Sequence, residues 1–146
     1  MQEKVNIENL LSEGNSVSIE PIGTSMYPLF VERNDRAIIV SFGKFTRRVR
    51  RGDVCVYRRP DGGLVIHRIY KANSKEVYFV GDHQTEIEGP LSLDCIIGVM
   101  VAFRRKSKEY SVSNPIYIIL SRIWLFIRPI RLKLIKMGSI VKKCIN

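Results

Sequence analysis

Residues 53–70 read Asp53-Val54-Cys55-Val56-Tyr57-Arg58-Arg59-Pro60-Asp61-Gly62-Gly63-Leu64-Val65-Ile66-His67-Arg68-Ile69-Tyr70. Two β-rich runs, Asp53 to Arg59 and Leu64 to Tyr70, flank the turn chemistry of Arg59-Pro60-Asp61-Gly62-Gly63. Pro presets one turn dihedral and Gly accepts the left-handed one, so the stretch predicts an antiparallel hairpin. Strand alternation then puts Val65, His67 and Ile69 on one face, and Ile66 and Arg68 on the other. An imidazole on an otherwise apolar face needs a hydrogen-bond partner.

Outward from the hairpin the pattern stays β-rich. Val17, Ile19 and Ile22 lie near alternate positions, as in a half-buried strand. Ala37 to Phe42 and Val77 to Val80 read as further strands, and Cys95 to Phe103 as an apolar strand completing a core. Gly23 to Pro28 is a small-residue turn. Lys44 to Arg51 carries five basic residues in eight and reads as a solvated loop or edge ribbon. Residues 84–93 are polar, contain Gly89-Pro90, and read as a loop. Residues 3–12 suit a short amphipathic helix ended by Gly14. The whole predicts a mainly β domain of barrel or sandwich type, without internal repeats.

Charge divides the chain sharply. Residues 1–103 hold 13 Lys+Arg and 13 Asp+Glu, whereas residues 104–146 hold 11 Lys+Arg and one acid, Glu109. The net charge of +10 therefore belongs to the last 43 residues. This excludes a uniformly basic nucleic-acid coat protein and favours a neutral body with a basic tail suited to an anionic surface. With 45% hydrophobic and 26% charged residues, the composition is globular rather than disordered. Cys55, Cys95 and Cys144 form neither a CxxC pair nor a disulfide framework. The N-terminal residues have neither a basic segment nor an apolar stretch of signal-peptide kind.

The tail begins with Asn114-Pro115, a capping residue followed by a first-turn proline, and predicts a helix. Residues 116–127 are apolar apart from Ser121 and Arg122; Pro129 interrupts, and basic residues mix with Ile, Leu and Met beyond it. Five basic residues within 116–137 weigh against a spanning helix, since each costs roughly 2.5–3.5 kcal/mol at a bilayer centre. An interfacial amphipathic helix on anionic lipid, with Tyr117 and Trp124 at the boundary, is the favoured reading; packing on the β-domain or on a partner is the alternative. The chain thus divides into a helical segment at 1–15, a β-domain at 16–106 and a basic, apolar tail at 107–146.

Serine hydrolysis needs a hydroxyl on one side of an imidazole and a carboxylate on the other. Among candidates for the hydroxyl, Ser25 stands in a rigid turn: Gly23 leaves room for a substrate carbonyl, and Met26 and Pro28 follow it. Backbone N–H groups around Ser25 could form an oxyanion hole. A structural turn explains the same residues more plainly when they are taken alone. His83 beside Asp82 lacks a third ligand at metal-site spacing. Arg51-Gly52-Asp53 spells an adhesion tripeptide but is better read as a turn into a strand.

These elements together resemble type I signal peptidases and the related repressor-type self-cleaving peptidases. Gly23-Thr24-Ser25-Met26-Tyr27-Pro28 is similar to the family's nucleophile box, Gly52 to Tyr57 to its Gly-Asp strand start, and Ile66-His67-Arg68-Ile69 to the His-Arg element of the Ser-His type. Val80-Gly81-Asp82 resembles its Gly-Asp-Asn box, with His83 where Asn is usual, and Asp94 to Val99 its closing strand. The resemblance spans roughly residues 17–103 in family order. It implies a signal-peptidase or repressor-peptidase β-fold, Ser25 as nucleophile, His67 as general base, and Glu88 as the orienting acid with Asp82 as rival. Gly23, Thr24 and Met26 would line the oxyanion and substrate site. It also implies no metal or organic cofactor, a peptide or preprotein substrate with small side chains beside the cleaved bond, and a membrane-associated site. No nucleic-acid partner is expected. The departures at His83 and Glu88 keep open a catalytically inactive module of the same fold that binds a peptide or serves as a membrane adaptor. A self-cleaving regulator is disfavoured, because no Lys replaces His67 and no DNA-binding domain precedes the core.

Overall fold

A computed structural model describes residues 6–14 and 16–145, with the side chains of residues 144 and 145 left aside. The elements run α1 (Ile7–Ser12), β1 (Val17–Ile19), β2 (Asp35–Ser41), β3 (Val54–Arg58), β4 (Leu64–Ala72), β5 (Glu76–Val80), β6 (Ile87–Ser92), β7 (Ile96–Arg105), β8 (Lys108–Ser111), α2 (Pro115–Phe126) and α3 (Arg128–Ile145). All strand pairs are antiparallel, in the order β1-β2-β7-β3-β4-β5-β6. The protein is mainly β, an antiparallel sheet with C-terminal helices. The N-terminal helix expected over residues 3–12 is present from Ile7; residues 1–5 of the segment assigned to 1–15 lie outside the described residues.

The hairpin read first is at the centre of this arrangement. β3 pairs β4 with Cys55 opposite His67 and Val56 opposite Ile66, around the Arg59–Gly63 turn. Both faces of β3 are covered, which is why Val54-Cys55-Val56-Tyr57 is a continuous buried run rather than an alternating one. Val54 and Val56 join Leu11, Met26, Phe30, Ile39 and Met100 on one side. Cys55 and Tyr57 join Ile69, Val77, Phe79 and Val99 on the other. Ten-residue β7 binds the halves together: β2 runs along one edge, and β3 and then β8 along the other.

Three readings need correction. Residues 87–92, expected within a loop, form edge strand β6 against β5. Gly89-Pro90 is accommodated as a bulge, because Val77 faces Leu91 while Phe79 faces Glu88; an edge strand tolerates a proline that donates no hydrogen bond. β8 lies within the stretch read as tail; its four residues are all exposed, so no hydrophobic pattern announced it. Ile22, expected on the buried face of the first strand, is 88% exposed, since β1 ends at Ile19.

The tail is helical. Asn114 caps α2, its side chain accepting from Ile116 N at 2.9 Å, with Pro115 in the first turn. Tyr117, Ser121, Trp124 and Leu125 turn towards the sheet. Ile116, Ile119, Leu120, Ile123 and Phe126 face away and are exposed. Tyr117, expected at a lipid boundary, instead packs on Phe103 with ring centroids 5.7 Å apart. α3 exposes Ile130, Leu134, Met137 and Val141 at one-face spacing among its lysines. Among the described residues, no helix is long and apolar enough to cross a membrane.

Candidate functional site

β4 carries two consecutive buried polar residues on opposite faces. His67 and Arg68 have 1% and 2% exposure. Each is satisfied differently, and the difference organises the site.

On the His67 side, the diagonal neighbour across the hairpin is Tyr57. Its hydroxyl lies 3.1 Å from His67 Nδ1 and donates to Glu88 Oε2 at 2.8 Å. Glu88, on β6, also accepts from Arg59 Nε at 2.8 Å, while Arg59 Nη2 donates to its other oxygen. Direct approach of His67 Nδ1 to Glu88 Oε1 is 3.6 Å, too long for a hydrogen bond. Burial lowers His67 to about 4, partly opposed by Glu88, so the imidazole is neutral at pH 7 and this contact is not an ion pair. The Arg59 hydrogen bonds hold Glu88 below its ordinary value, with Tyr57 adding to the effect. Burial, followed by the bond to Glu88, raises the Tyr57 phenol well above its ordinary value, so its proton stays on. No hydrogen bond to His67 Nε2 occurs among the described residues.

On the Arg68 side, Asp82 forms a buried fork: Nε donates to Oδ1 and Nη2 to Oδ2, both at 2.7 Å. Nη1 donates to Gly52 O at 2.9 Å. Burial disfavours the Arg68 charge, but Asp82 more than offsets it and the guanidinium pKa is raised. Both oxygens of Asp82 are therefore committed to Arg68. Of the two carboxylates considered as partners of His67, Glu88 is the one placed on its side of the strand.

Ser25 is half-buried in the turn at residues 23–29. Its carbonyl accepts from His83 N at 2.9 Å, so this turn sits on the first residues beyond β5. Gly81 permits the approach: a Cβ there would stand 2.7 Å from Ser25 O and 2.8 Å from Gln84 Oε1. Because Val80 pairs with Arg68, this docking point is next to the strand that bears His67. Among the described residues no hydrogen bond joins Ser25 Oγ to His67. Gly23 has φ +86° and open space above its Cα, and Thr24 is exposed. Met26, named with them as a substrate-site residue, points elsewhere: its side chain is 2% exposed within the core beside Phe30.

Two residues were not anticipated. Tyr57 follows from hairpin register, since it stands two positions from Cys55, which faces His67. Arg59 was read as the junction of strand and turn, and nothing local signals its long-range partner Glu88. His83 is exposed and meets Tyr27 edge-on, with ring centroids 5.9 Å apart. Asp53 of the Arg-Gly-Asp tripeptide accepts a fork from Arg47 at 2.8 Å and a bond from Arg50 N, and so serves the turn into β3. Among the described residues no group of three or more His, Cys, Asp or Glu side chains could hold a metal ion. The first helical residues of α3 close over the same region: Arg131 Nη1 donates to Asp82 O at 3.0 Å, and Arg128 Nη2 donates to Thr85 O.

No protein-family model matches the chain, and comparison with curated proteins and with solved structures gives no match.

Proposed function

We propose that this chain is a serine endopeptidase resembling type I signal peptidases, on a β-fold of the signal-peptidase and repressor-peptidase kind. The observation that carries the reading is a buried His67 whose Nδ1 side faces Tyr57 and Glu88 while its Nε2 makes no hydrogen bond among the described residues; burial favours the neutral ring. A neutral imidazole with an uncommitted nitrogen is the form a general base requires. In this reaction Ser25 Oγ attacks the peptide carbonyl as His67 Nε2 takes its proton. His67 then protonates the leaving amine, and water releases the acyl group. Backbone N–H groups at Thr24 to Met26 would face the oxyanion. Substrate would bind extended, pairing with an exposed strand edge. Catalysis requires Ser25 Oγ to come within hydrogen-bond reach of Nε2.

In the same proposal the tail places the enzyme on an anionic membrane. The exposed apolar rows of α2 and α3 would lie in the headgroup region, with the lysines on acidic lipid, each contributing about 1 kcal/mol near such a surface. The missing bond between Ser25 and His67 supports one rival, an inactive peptide-binding module or membrane adaptor of the same fold. Labelling with a fluorophosphonate probe separates them. Active enzyme reacts at Ser25, and Ser25→Ala and His67→Asn do not. A wild-type chain that takes no label and cleaves no peptide sinks the peptidase reading. Co-sedimentation of the full chain with anionic vesicles, lost in Ile119→Asp/Ile123→Asp, tests the tail.

A further inference from the structure

We propose that Tyr57 is a positioning residue that links Glu88 to His67 and fixes the imidazole as its Nδ1–H tautomer, leaving Nε2 as the basic nitrogen. The purpose of this device rests on the peptidase reading above; the device itself rests on hydrogen-bond geometry.

The Tyr57 hydroxyl has one proton and two close neighbours, Glu88 Oε2 at 2.8 Å and His67 Nδ1 at 3.1 Å. An ionised carboxylate can only accept. If Tyr57 gave its proton to Nδ1, two oxygen lone pairs would confront one another across 2.8 Å beside Glu88. Arg59 occupies both Glu88 oxygens as a donor and keeps the carboxylate charged, so Glu88 cannot supply the missing proton. The consistent arrangement runs one way. His67 Nδ1–H donates to Tyr57 Oη, Tyr57 Oη–H donates to Glu88 Oε2, and Arg59 closes the chain. Neutral imidazole has one N–H, so Nε2 carries the lone pair.

Placing a phenol between acid and imidazole has a chemical consequence. When Nε2 accepts the Ser25 proton, His67 becomes a cation whose Nδ1 is 3.6 Å from Glu88 Oε1. The carboxylate stabilises that cation through space while Tyr57 keeps the ring oriented. No proton moves along the chain: Nδ1, Oη and the carboxylate each end the step as they began. Tyr57 is itself fully buried, with its ring stacked on Phe79 at 3.8 Å and an interplanar angle of 4°.

The full chain labelled with 15N-histidine tests this by long-range 1H–15N correlation at pH 7, with His83→Gln assigning the second histidine. The expected result is His67 neutral, protonated on Nδ1 and bare on Nε2. Tyr57→Phe keeps the stacked ring and removes only the hydroxyl. It should let the proton distribute to Nε2 and slow fluorophosphonate labelling of Ser25 about tenfold or more. Glu88→Gln still offers an oxygen to the Tyr57 proton, so the Nδ1–H form should persist while labelling slows. Wild-type His67 found protonated on Nε2 overturns the proposal, and so does a Tyr57→Phe chain with unchanged tautomer and rate. A tautomer switch in Glu88→Gln but not in Tyr57→Phe also overturns it, because Glu88 would then act directly. Failure of wild-type Ser25 to label strikes the peptidase reading alone, while an Nε2–H wild type strikes Tyr57 alone.

Discussion

His67 and Arg68 are adjacent in sequence, equally buried and both polar, yet the two sides of β4 treat them oppositely. On one side a guanidinium keeps its charge because Asp82 meets it with two 2.7 Å bonds. On the other an imidazole gives up its charge, although Glu88 is only 3.6 Å from Nδ1. Glu88 already faces Arg59, so its field is spent elsewhere, and desolvation wins at His67. The lesson is that burial does not decide protonation; the availability of an unspent counter-charge does. One side of the strand thereby keeps a buried ion pair, and the other keeps an uncharged imidazole.

Removing the counter-charge should break this contrast most severely. Asp82→Asn leaves Arg68 charged and enclosed, and should destabilise the fold by about 3–5 kcal/mol in urea unfolding. Retention of near-wild-type stability would show that Arg68 has another route to solvation. The next largest effect is acidification. His67 titrates near its ordinary 6.5 when unfolded and at about 4 when folded, so the unfolded chain binds more protons between those values. Stability should therefore fall as pH drops from 6.5 to 4, by on the order of 2–3 kcal/mol, and His67→Gln should flatten that slope. The groups acting on His67 are Glu88 from β6, Arg59 from the hairpin turn and Asp82 beyond β5. Glu88, held low by Arg59, adds a loss only below its unfolded value near 4.5.

Gly81→Ala comes third. Its methyl would meet Ser25 O, and overpacking of this kind costs about 1–3 kcal/mol. Fluorophosphonate labelling should fall further than that stability loss explains, because the Ser25 turn must lift. The smallest effect is expected at a second arginine–aspartate pair. Arg47 and Asp53 also form a two-bond fork, at 2.8 Å, but with its arginine end exposed. Arg47→Ala should cost only about 0–1 kcal/mol. Equal losses in Arg47→Ala and Asp82→Asn would mean that burial of the Arg68 pair is energetically irrelevant.

The hairpin and the strands around it were legible because alternation, β-branched runs and the Pro-Asp-Gly-Gly turn all point one way. β6 was not, because Gly89-Pro90 imitates a loop while forming a bulge at the sheet edge. β8 has no buried residue to reveal it. Around β4, His67 was legible as a polar residue on an apolar strand face, whereas Glu88 was named only through the resemblance to signal peptidases. Tyr57 was not legible, because its role is defined by where β3 lies against β4 and not by any local pattern. Arg59 is harder still: it lies 29 positions from Glu88, and the successive pairings from β3 to β6 bring the two together. Met26 was hard to read for a related reason, as a residue next to Ser25 is also free to anchor that turn in the core.

The Asp82–His83 linkage offers its carbonyl to Arg131 at 3.0 Å and its N–H to the Ser25 carbonyl at 2.9 Å. A single rigid plane thus stands between the basic helix and the serine. Any tug that draws the start of α3 outward pulls on one edge of that plane, and the other edge passes the strain to the backbone that aims the hydroxyl.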